Sequence, residues 1–169
     1  GAAIFPLVFK WTGNKGWAAS VFSVLMGVSM VVLYFFSPNE EPLWFYLFAA
    51  LAQFFFSGFN TAIYAIIPDC VEYGEWKTGI RNDGFQYSFI SLANKIGMAL
   101  GTSLLALVMG WAGYEANVEQ SETVKVVIHH AFSTVPGILW IITAGIMLFY
   151  RLSRKEYNQI INELENRKK

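Results

Sequence analysis

The sequence is short of the features that most soluble and secreted proteins carry. Only 14% of its 169 residues are charged, and its 12 basic and 12 acidic side chains cancel to a net charge of zero. Soluble domains contain about 25% charged residues, so this chain lacks the polar surface of a water-soluble globule. It also lacks the basic excess with which nucleic-acid-binding modules meet phosphates. Its one cysteine, Cys70, excludes an internal disulfide and a multi-cysteine metal site.

Long apolar stretches are what the sequence has in abundance. Hydrophobic residues make up 55% of the chain, and the mean hydropathy is +0.42. A helix needs about 20 apolar residues to cross a bilayer core. Four stretches reach that length, at about residues 17–37, 43–68, 85–113 and 126–150. Because these stretches are apolar on every face instead of alternating, they predict helices and not membrane strands. The expected fold is an all-α, polytopic membrane bundle.

The segments outside the four spans predict a larger protein. Residues 1–14 are interpreted as the end of a preceding transmembrane helix followed by a cytoplasmic loop. Residues 151–169 are interpreted as a cytoplasmic amphipathic tail, because Tyr157, Ile160 and Leu164 recur at helical spacing between charged residues. Since the chain opens with half a helix, we expect it to be the C-terminal piece of a longer chain.

The basic residues predict the orientation of the spans. If the spans alternate, ten basic residues fall on one side and only Lys125 falls on the other. The ten are Lys10, Lys15, Lys77, Arg81, Arg151, Arg154, Lys155, Arg167, Lys168 and Lys169. By the positive-inside rule, the 69–84 loop and the C-terminus lie in the cytoplasm. The predicted location is therefore the cell inner membrane, with multiple passes.

Lys95 is the most informative single residue. It lies in the third span, 11 positions after Gly84, which places it roughly 16 Å along the helix and near the middle of the bilayer. A lysine at that depth costs about 2.5–3.5 kcal/mol on insertion scales and usually faces a cavity or a charged partner. The chain offers no intramembrane acid as that partner. Snorkelling to an interface is the structural alternative, but the distance is too great.

Further polar residues of the second and third spans are candidates for a substrate or cation pathway. Ser91 and Asn94 lie close to Lys95, and the second span carries Gln53, Asn60 and Tyr64 along one helical stripe. A polar stripe on an apolar helix is typical of a water-filled pathway. It is equally typical of hydrogen bonding between helices, and both interpretations stay open.

The loop after the second span concentrates charge. Asp69, Glu72 and Glu75 have the spacing of one helical face just past the membrane, and Arg81 follows as a bidentate partner for a carboxylate. Three close acids also suggest a divalent-cation site, which requires convergent oxygen ligands. Because basic residues lie so near, ion pairing into a cytoplasmic charge network is favoured and no metal site is predicted.

The same loop carries a family resemblance. Residues 68–88, PDCVEYGEWKTGIRNDGFQYS, resemble the loop between helices ten and eleven of the glycoside–pentoside–hexuronide:cation symporters, the melibiose-carrier-like branch of the major facilitator superfamily. Ser91, Lys95 and residues 113–121 are similar to the next helix and external loop. The resemblance implies that the chain is the C-terminal part of a twelve-helix carrier, namely the end of helix eight and helices nine to twelve.

The resemblance also implies an activity and roles for residues. Members of this family move a sugar together with Na⁺, H⁺ or Li⁺ by alternating access between two six-helix halves. Lys95 is implied to lie near the cation and sugar sites, facing acids of the N-terminal helices outside this chain. Asp69, Glu72 and Arg81 are implied to steady one of the alternating states. Asn60 stands where the melibiose carrier has a tryptophan near the sugar, which argues against melibiose as the solute.

Two other function classes remain as alternatives. A membrane-embedded enzyme or lipid-handling protein would need a nucleophile or metal ligands that converge at one depth, and the sequence shows none. A purely structural membrane subunit would not need Lys95 or the polar stripe. The prediction is therefore a carrier and not an enzyme, with no bound cofactor. Its expected partners are a sugar, a monovalent cation, the lipid bilayer and the remaining helices of the carrier, and no nucleic acid.

Overall fold

The computed structural model describes residues 1–36 and 40–167, and these residues form helices and their connections without a β-strand beyond one isolated bridge. The helices are α1 (Phe5–Thr12), α2 (Lys15–Leu33), α3 (Pro42–Thr78), α4 (Asp83–Ala112), α5 (Glu122–Phe132), α6 (Thr134–Met147) and α7 (Arg154–Arg167). Four helical segments, α2, α3, α4 and the α5–α6 pair, are long and apolar enough to cross a membrane. The predicted all-α membrane bundle is confirmed.

Helix α2 forms the centre of the bundle, packed between α3 and α6. Small side chains let the helices approach closely, as is common between helices in membranes. A Cβ atom added to Gly27 would lie 2.7 Å from the carbonyl oxygen of Gly137 in α6. The hydroxyls of Ser20 and Ser23 donate hydrogen bonds of 2.8 and 2.7 Å to the carbonyls of Ala144 and Trp140. Close packing and hydrogen bonds thus join α2 to α6.

Helix α3 continues past the predicted end of the second span. The sequence predicts that this span ends at Pro68, whereas the helix runs on to Thr78. Proline removes one hydrogen bond from a helix and crowds the carbonyl four residues earlier, here that of Tyr64. The rest of the ladder continues until Gly79, whose φ of 75° closes the helix with a hydrogen bond to Glu75. The predicted loop at 69–84 is therefore helical over its first ten residues.

The fourth predicted span, 126–150, is broken in two at Ser133. Pro136 has no N–H to offer the carbonyl of Phe132, which interrupts the helix there. The backbone N–H and the hydroxyl of Ser133 both donate to the carbonyl of His129, so α5 ends with its last turn capped. The pair α5–α6 still has the length of one span.

Helix α4 stands apart from the bundle. None of its residues is buried, and it contacts α3 and α5, its neighbours along the chain. Near its start, the side-chain amide of Gln86 donates a 3.1 Å hydrogen bond to the carbonyl of Cys70. Gly97 and Gly101 have open space where a Cβ atom would be. The small-residue face of α4 is therefore unoccupied within the described residues.

The tail forms helix α7, which packs against the end of α3. Ile160 and Leu164 are buried in that contact. The tail is thus a docked helix and not a purely solvated one. Three positions named in the predictions lie outside the described residues, namely Ser37 at the end of the first span and the basic residues Lys168 and Lys169 of the tail.

Candidate functional site

The candidate site is the end of the bundle that holds the start of α2, the last turns of α3 and helix α7, called here the tail end. At its centre, Asp69 of α3 is only 4% exposed. The ammonium of Lys15 lies 2.8 Å from its Oδ1 atom, and the hydroxyl of Tyr150 donates to Oδ2 at 3.2 Å. Three segments, α2, α3 and the chain after α6, therefore meet at one carboxylate.

Lys15 is held in place by the start of α2. Asn14 caps this helix, because its side-chain oxygen accepts hydrogen bonds from the N–H groups of Gly16 and Trp17. Besides Asp69, the Lys15 ammonium also donates a 2.9 Å hydrogen bond to the carbonyl of Ala65, one turn before Asp69. The lysine thus bridges the segment of α3 that contains the proline.

The second acid of α3, Glu72, is bound by the tail. The hydroxyl of Tyr157 in α7 donates a hydrogen bond to the carboxylate of Glu72. Lys15 lies 5.3 Å from the centre of the Tyr157 ring, within cation–π range. Burial and the acceptor Glu72 raise the pKa of Tyr157, so the phenol stays protonated and acts as a donor. Helix α7 is in this way attached to the same cluster as α2.

The third acid, Glu75, pairs within the connection to α4. The guanidinium of Arg81 donates a 3.0 Å hydrogen bond to Glu75 and a 3.1 Å hydrogen bond to Asp83, the first residue of α4. These hydrogen bonds raise the pKa of Arg81, and the one to Asp83 contributes most. The pairing joins the end of α3 to the beginning of α4.

Further hydrogen bonds hold α7 in register. The indole N–H of Trp76 donates to Glu163 at 2.6 Å, and the guanidinium of Arg167 donates to the carbonyl of Trp76 at 2.8 Å. At the start of α7, Ser153 and Glu156 exchange hydrogen bonds in a capping box. The hydrogen bond from the Ser153 backbone is the main cause of the lowered pKa of Glu156.

The structure places the predicted network residues together, each with a different partner. Asp69, Glu72 and Glu75 are engaged by Lys15, Tyr157 and Arg81 respectively. Lys15 and Tyr157 were missing from the predicted set, because each lies more than 50 residues from its acid and no local spacing connects them. Within residues 1–36 and 40–167, no group of three or more His, Cys, Asp or Glu side chains is arranged to hold a metal ion.

The predicted pathway residues of α3 lie on its open face. Gln53, Asn60 and Tyr64 are exposed, and Tyr64 is 63% exposed. The buried positions of the same stretch, among them Ala52 and Ala62, lie on the side that packs against the bundle. The stripe is therefore directed away from the packed core.

The predicted pathway residues of α4 are also exposed. Ser91, Asn94 and Lys95 are all at the surface of the described chain. Lys95 forms no ion pair with any described residue. An apolar helix of 30 residues thus presents one unpaired cation near its middle.

Comparison with known proteins assigns the family. The sequence profile of the family described as "MFS/sugar transport protein" matches residues 1–154. The chain belongs to this family. The match agrees with the resemblance carried by residues 68–88, and the family is one of transporters and not of enzymes.

Similar proteins are named as carriers, importers or transporters. The chain is 34% identical to a putative sulfoquinovose importer of Escherichia coli K12 over 99% of its own length. It is 38% identical to a glucuronide carrier protein homolog of the same organism over 64% of its length. It is 35% identical to an isoprimeverose transporter of Lactiplantibacillus pentosus over 59% of its length.

The matched regions are parts of longer proteins. They cover 36% of the sulfoquinovose importer, 24% of the glucuronide carrier homolog and 21% of the isoprimeverose transporter. The chain thus spans about a third or less of the curated relatives it matches. No solved structure matches it significantly.

Proposed function

We propose that this chain forms the C-terminal part of a sugar:cation symporter that works by alternating access between two six-helix halves. The solute is a glycoside, a pentoside or a hexuronide, and the coupling ion is Na⁺, H⁺ or Li⁺. Membership of the sugar transporter family supports the solute class. The names of the relatives support it too, since glucuronide, sulfoquinovose and isoprimeverose are all sugars or sugar derivatives.

The unpaired lysine of α4 carries the proposal. A lysine within an apolar membrane helix needs a charged partner or a polar cavity, and Lys95 has no such partner in the described chain. Carboxylates on the helices outside this chain would supply the partner. A cation that binds those carboxylates competes with Lys95, so the charge balance of the pathway changes when the cation loads. Such competition couples the cation to the solute.

The predicted polar residues of α3 and α4 fit the solute side of the pathway. Ser91 and Asn94 share its helix, and the stripe of Asn60 and Tyr64 lies exposed on α3. Hydroxyl and amide groups donate and accept hydrogen bonds as sugar recognition requires. We place these residues around the solute, together with residues from the remaining helices.

The tail-end network gives the second part of the mechanism. Its contacts join α2, α3, α7 and the start of α4 through Asp69, Glu72 and Glu75. Ten basic residues at this side of the spans support a cytoplasmic location by the positive-inside rule. A set of ion pairs and hydrogen bonds at one end has two arrangements, intact and separated, and the intact one stabilises a state closed at the cytoplasmic side.

The test is uptake of labelled sugars by the intact carrier in proteoliposomes. The panel contains glycosides, pentosides and hexuronides, each measured with and without Na⁺, Li⁺ or H⁺ gradients. We expect gradient-driven accumulation of at least one sugar by the wild type. In Lys95→Met, loss of about 1.4 kcal/mol or more of coupling lowers accumulation at least about tenfold.

Lys125→Met is the matched control. Lys125 is exposed on α5 and paired with Glu122 on the same helix, so its loss leaves accumulation unchanged. The proposal fails if no sugar accumulates with any gradient while the wild type is folded in the membrane. The role of Lys95 fails if the two lysine variants accumulate sugar equally.

A further inference from the structure

A cavity of about 570 Å³ lies at the tail end, between α3, residues 149–152 and α7. This volume is within the range of small-molecule binding sites. Tyr73 and Trp76 of α3 form one wall, and Phe149 and Ile160 form others. The cavity is separate from the exposed polar stripe of α3 and from Lys95, so the proposed transport pathway does not use it.

The cavity lies where a membrane boundary is expected. Helix α6, the second half of an apolar span, ends at Met147, and the charged helix α7 begins at Arg154. Aromatic side chains concentrate at the level of lipid headgroups, because their rings are apolar and their edges polar. Phe149, 79% exposed, and Trp76 both line the cavity. We therefore expect the cavity to lie at the depth of the lipid headgroups.

The cavity is lined by exposed charged groups of both signs, which are open to a ligand. Arg151 has neither an ion pair nor a side-chain hydrogen bond with the described residues. Glu163 accepts the indole hydrogen bond of Trp76 on Oε2, and no described residue donates to its Oε1 atom. Glu156, which also lines the cavity, accepts both hydrogen bonds from Ser153 on its Oε2 atom. The guanidinium of Arg151 and the Oε1 atoms of Glu156 and Glu163 remain for a ligand, and Glu163 is the acid that contacts Trp76.

We propose that this cavity binds the headgroup of phosphatidylethanolamine. Arg151 binds the phosphate, for which guanidinium groups are well suited. The primary ammonium donates to Oε1 of Glu163 and lies near the ring of Trp76, which attracts cations. Phe149 and Tyr73 pack against the glycerol and the first acyl carbons. An anionic headgroup fits less well, because two carboxylates line the cavity against one arginine.

The first test uses the wild-type intact carrier and therefore carries no risk of misfolding. The carrier is purified without lipid in detergent, and lipid binding is followed by native mass spectrometry. Phosphatidylethanolamine, its mono- and dimethyl forms, phosphatidylcholine and phosphatidylglycerol are added separately. We expect affinity to fall along the methylation series as N–H donors are lost. The loss reaches roughly tenfold at phosphatidylcholine, the value of about one charge-assisted hydrogen bond.

The second test assigns the contacts with matched variants. Arg151→Gln lowers the affinity for all phospholipids, because the phosphate partner is removed. Glu163→Gln keeps an acceptor for Trp76 but lowers the affinity for phosphatidylethanolamine and not for phosphatidylglycerol. Arg154→Gln and Glu165→Gln are the controls, since both residues lie on α7 without lining this cavity. We expect both controls to bind lipid as the wild type does.

Several results would overturn the proposal. Equal affinity for phosphatidylethanolamine and phosphatidylcholine would exclude recognition of the ammonium. Lipid binding that is unchanged in Arg151→Gln would exclude this cavity as the site. A specific preference for phosphatidylglycerol would assign an anionic headgroup instead. Absence of retained lipid in the wild type would mean that another part of the carrier fills the cavity.

Discussion

Helices α2 and α4 are both apolar enough to cross a membrane, but α2 is buried in the bundle and α4 is exposed. In the most apolar window of α2, 56% of the residues are buried, whereas in that of α4 none is. The two helices share the length and hydropathy of a membrane span. They differ in the partners that the described chain offers them.

The contrast shows what joins helices in a membrane. Lipid tails are as apolar as leucine, so apolar side chains alone give helices little reason to associate. Helix α2 uses close glycine contacts and serine hydroxyls for this purpose. Helix α4 has its own small and polar residues, Gly97, Gly101 and Lys95, but no described residue packs against them. We expect the charged partner of Lys95 in the remaining helices of the carrier.

The sharpest test of the contrast compares two lysines. Lys15→Met removes the ion-pair partner of the buried Asp69, and an unpaired buried carboxylate costs about 3 kcal/mol. The variant should therefore unfold at a lower temperature than the wild-type carrier, as measured by a thermal-shift assay. Lys95→Met should lower the unfolding temperature less, because the co-transported cation can take the place of Lys95 at the carboxylates of the remaining helices.

A double variant checks the cause. Adding Asp69→Asn to Lys15→Met removes the unpaired charge and should recover part of the lost stability. If Lys95→Met destabilises the carrier as much as Lys15→Met does, Lys95 has a structural role and the contrast between the two helices is wrong.

A second test compares two glycines. The Cβ atom of Gly27→Ala would lie 2.7 Å from the carbonyl oxygen of Gly137, so α2 and α6 must separate. Overpacking of this kind costs about 2 kcal/mol, and we expect a lower unfolding temperature and less folded carrier. Gly101→Ala has open space in the described chain and should be close to neutral. Equal losses for the two variants would show that α4 has a close helix partner elsewhere in the carrier.

A third test separates the docked tail from the exposed helix. Tyr157→Phe removes the hydrogen bond to Glu72 and leaves that acceptor with one donor fewer, at a cost of about 1 kcal/mol. Hydrogen exchange of the backbone amides of α7 should become faster. Tyr87→Phe is the control, because Tyr87 is a 49% exposed tyrosine of α4. If exchange in α7 is the same in both variants, the Tyr157 contact does not hold the tail.

The smallest expected effect is the pH dependence of the start of α7. The pKa of Glu156 lies below its ordinary value of 4.5 in the folded protein, because Ser153 donates to the carboxylate. The stabilisation is therefore complete above pH 4.5 and is lost as the pH falls through the lower, folded pKa. A spin label on α7 should become more mobile in that acidic range. In Glu156→Gln the mobility of the label should not depend on pH in that range. If this variant shows the same pH response as the wild type, the assignment to Glu156 is wrong.

Much of the fold was predictable from local patterns. Four apolar stretches of sufficient length indicate four spans, since length and hydropathy alone decide whether a helix can cross a bilayer. The ends of the helices were less predictable. Pro68 was interpreted as the end of the second span, but one missing hydrogen bond does not end a helix whose later residues bind α2 and α7. The break at Ser133 was not predicted, because the stretch stays apolar across Pro136 and hydropathy alone does not show where a proline interrupts the helix.

The sequence predicts which acids belong to the candidate site but not all of the residues that pair with them. The spacing of Asp69, Glu72 and Glu75 indicates one charged helical face, and Arg81 is near enough in sequence to be recognised as a partner. Lys15 and Tyr157 are not, because each reaches its acid from a distant part of the chain. The docking of α7 depends on the same distant contacts.

The order of residues along the chain is enough to predict the number of spans, the position of Lys95 within its helix and the concentration of acids after the second span. These properties follow from the order of residues along a single helix, where neighbours are set by covalent spacing. The tertiary structure decided which cation meets which acid, that α2 is buried while α4 is open, and that a cavity forms beside Arg151. Such outcomes depend on contacts through space between distant segments, and the chain order alone does not specify them.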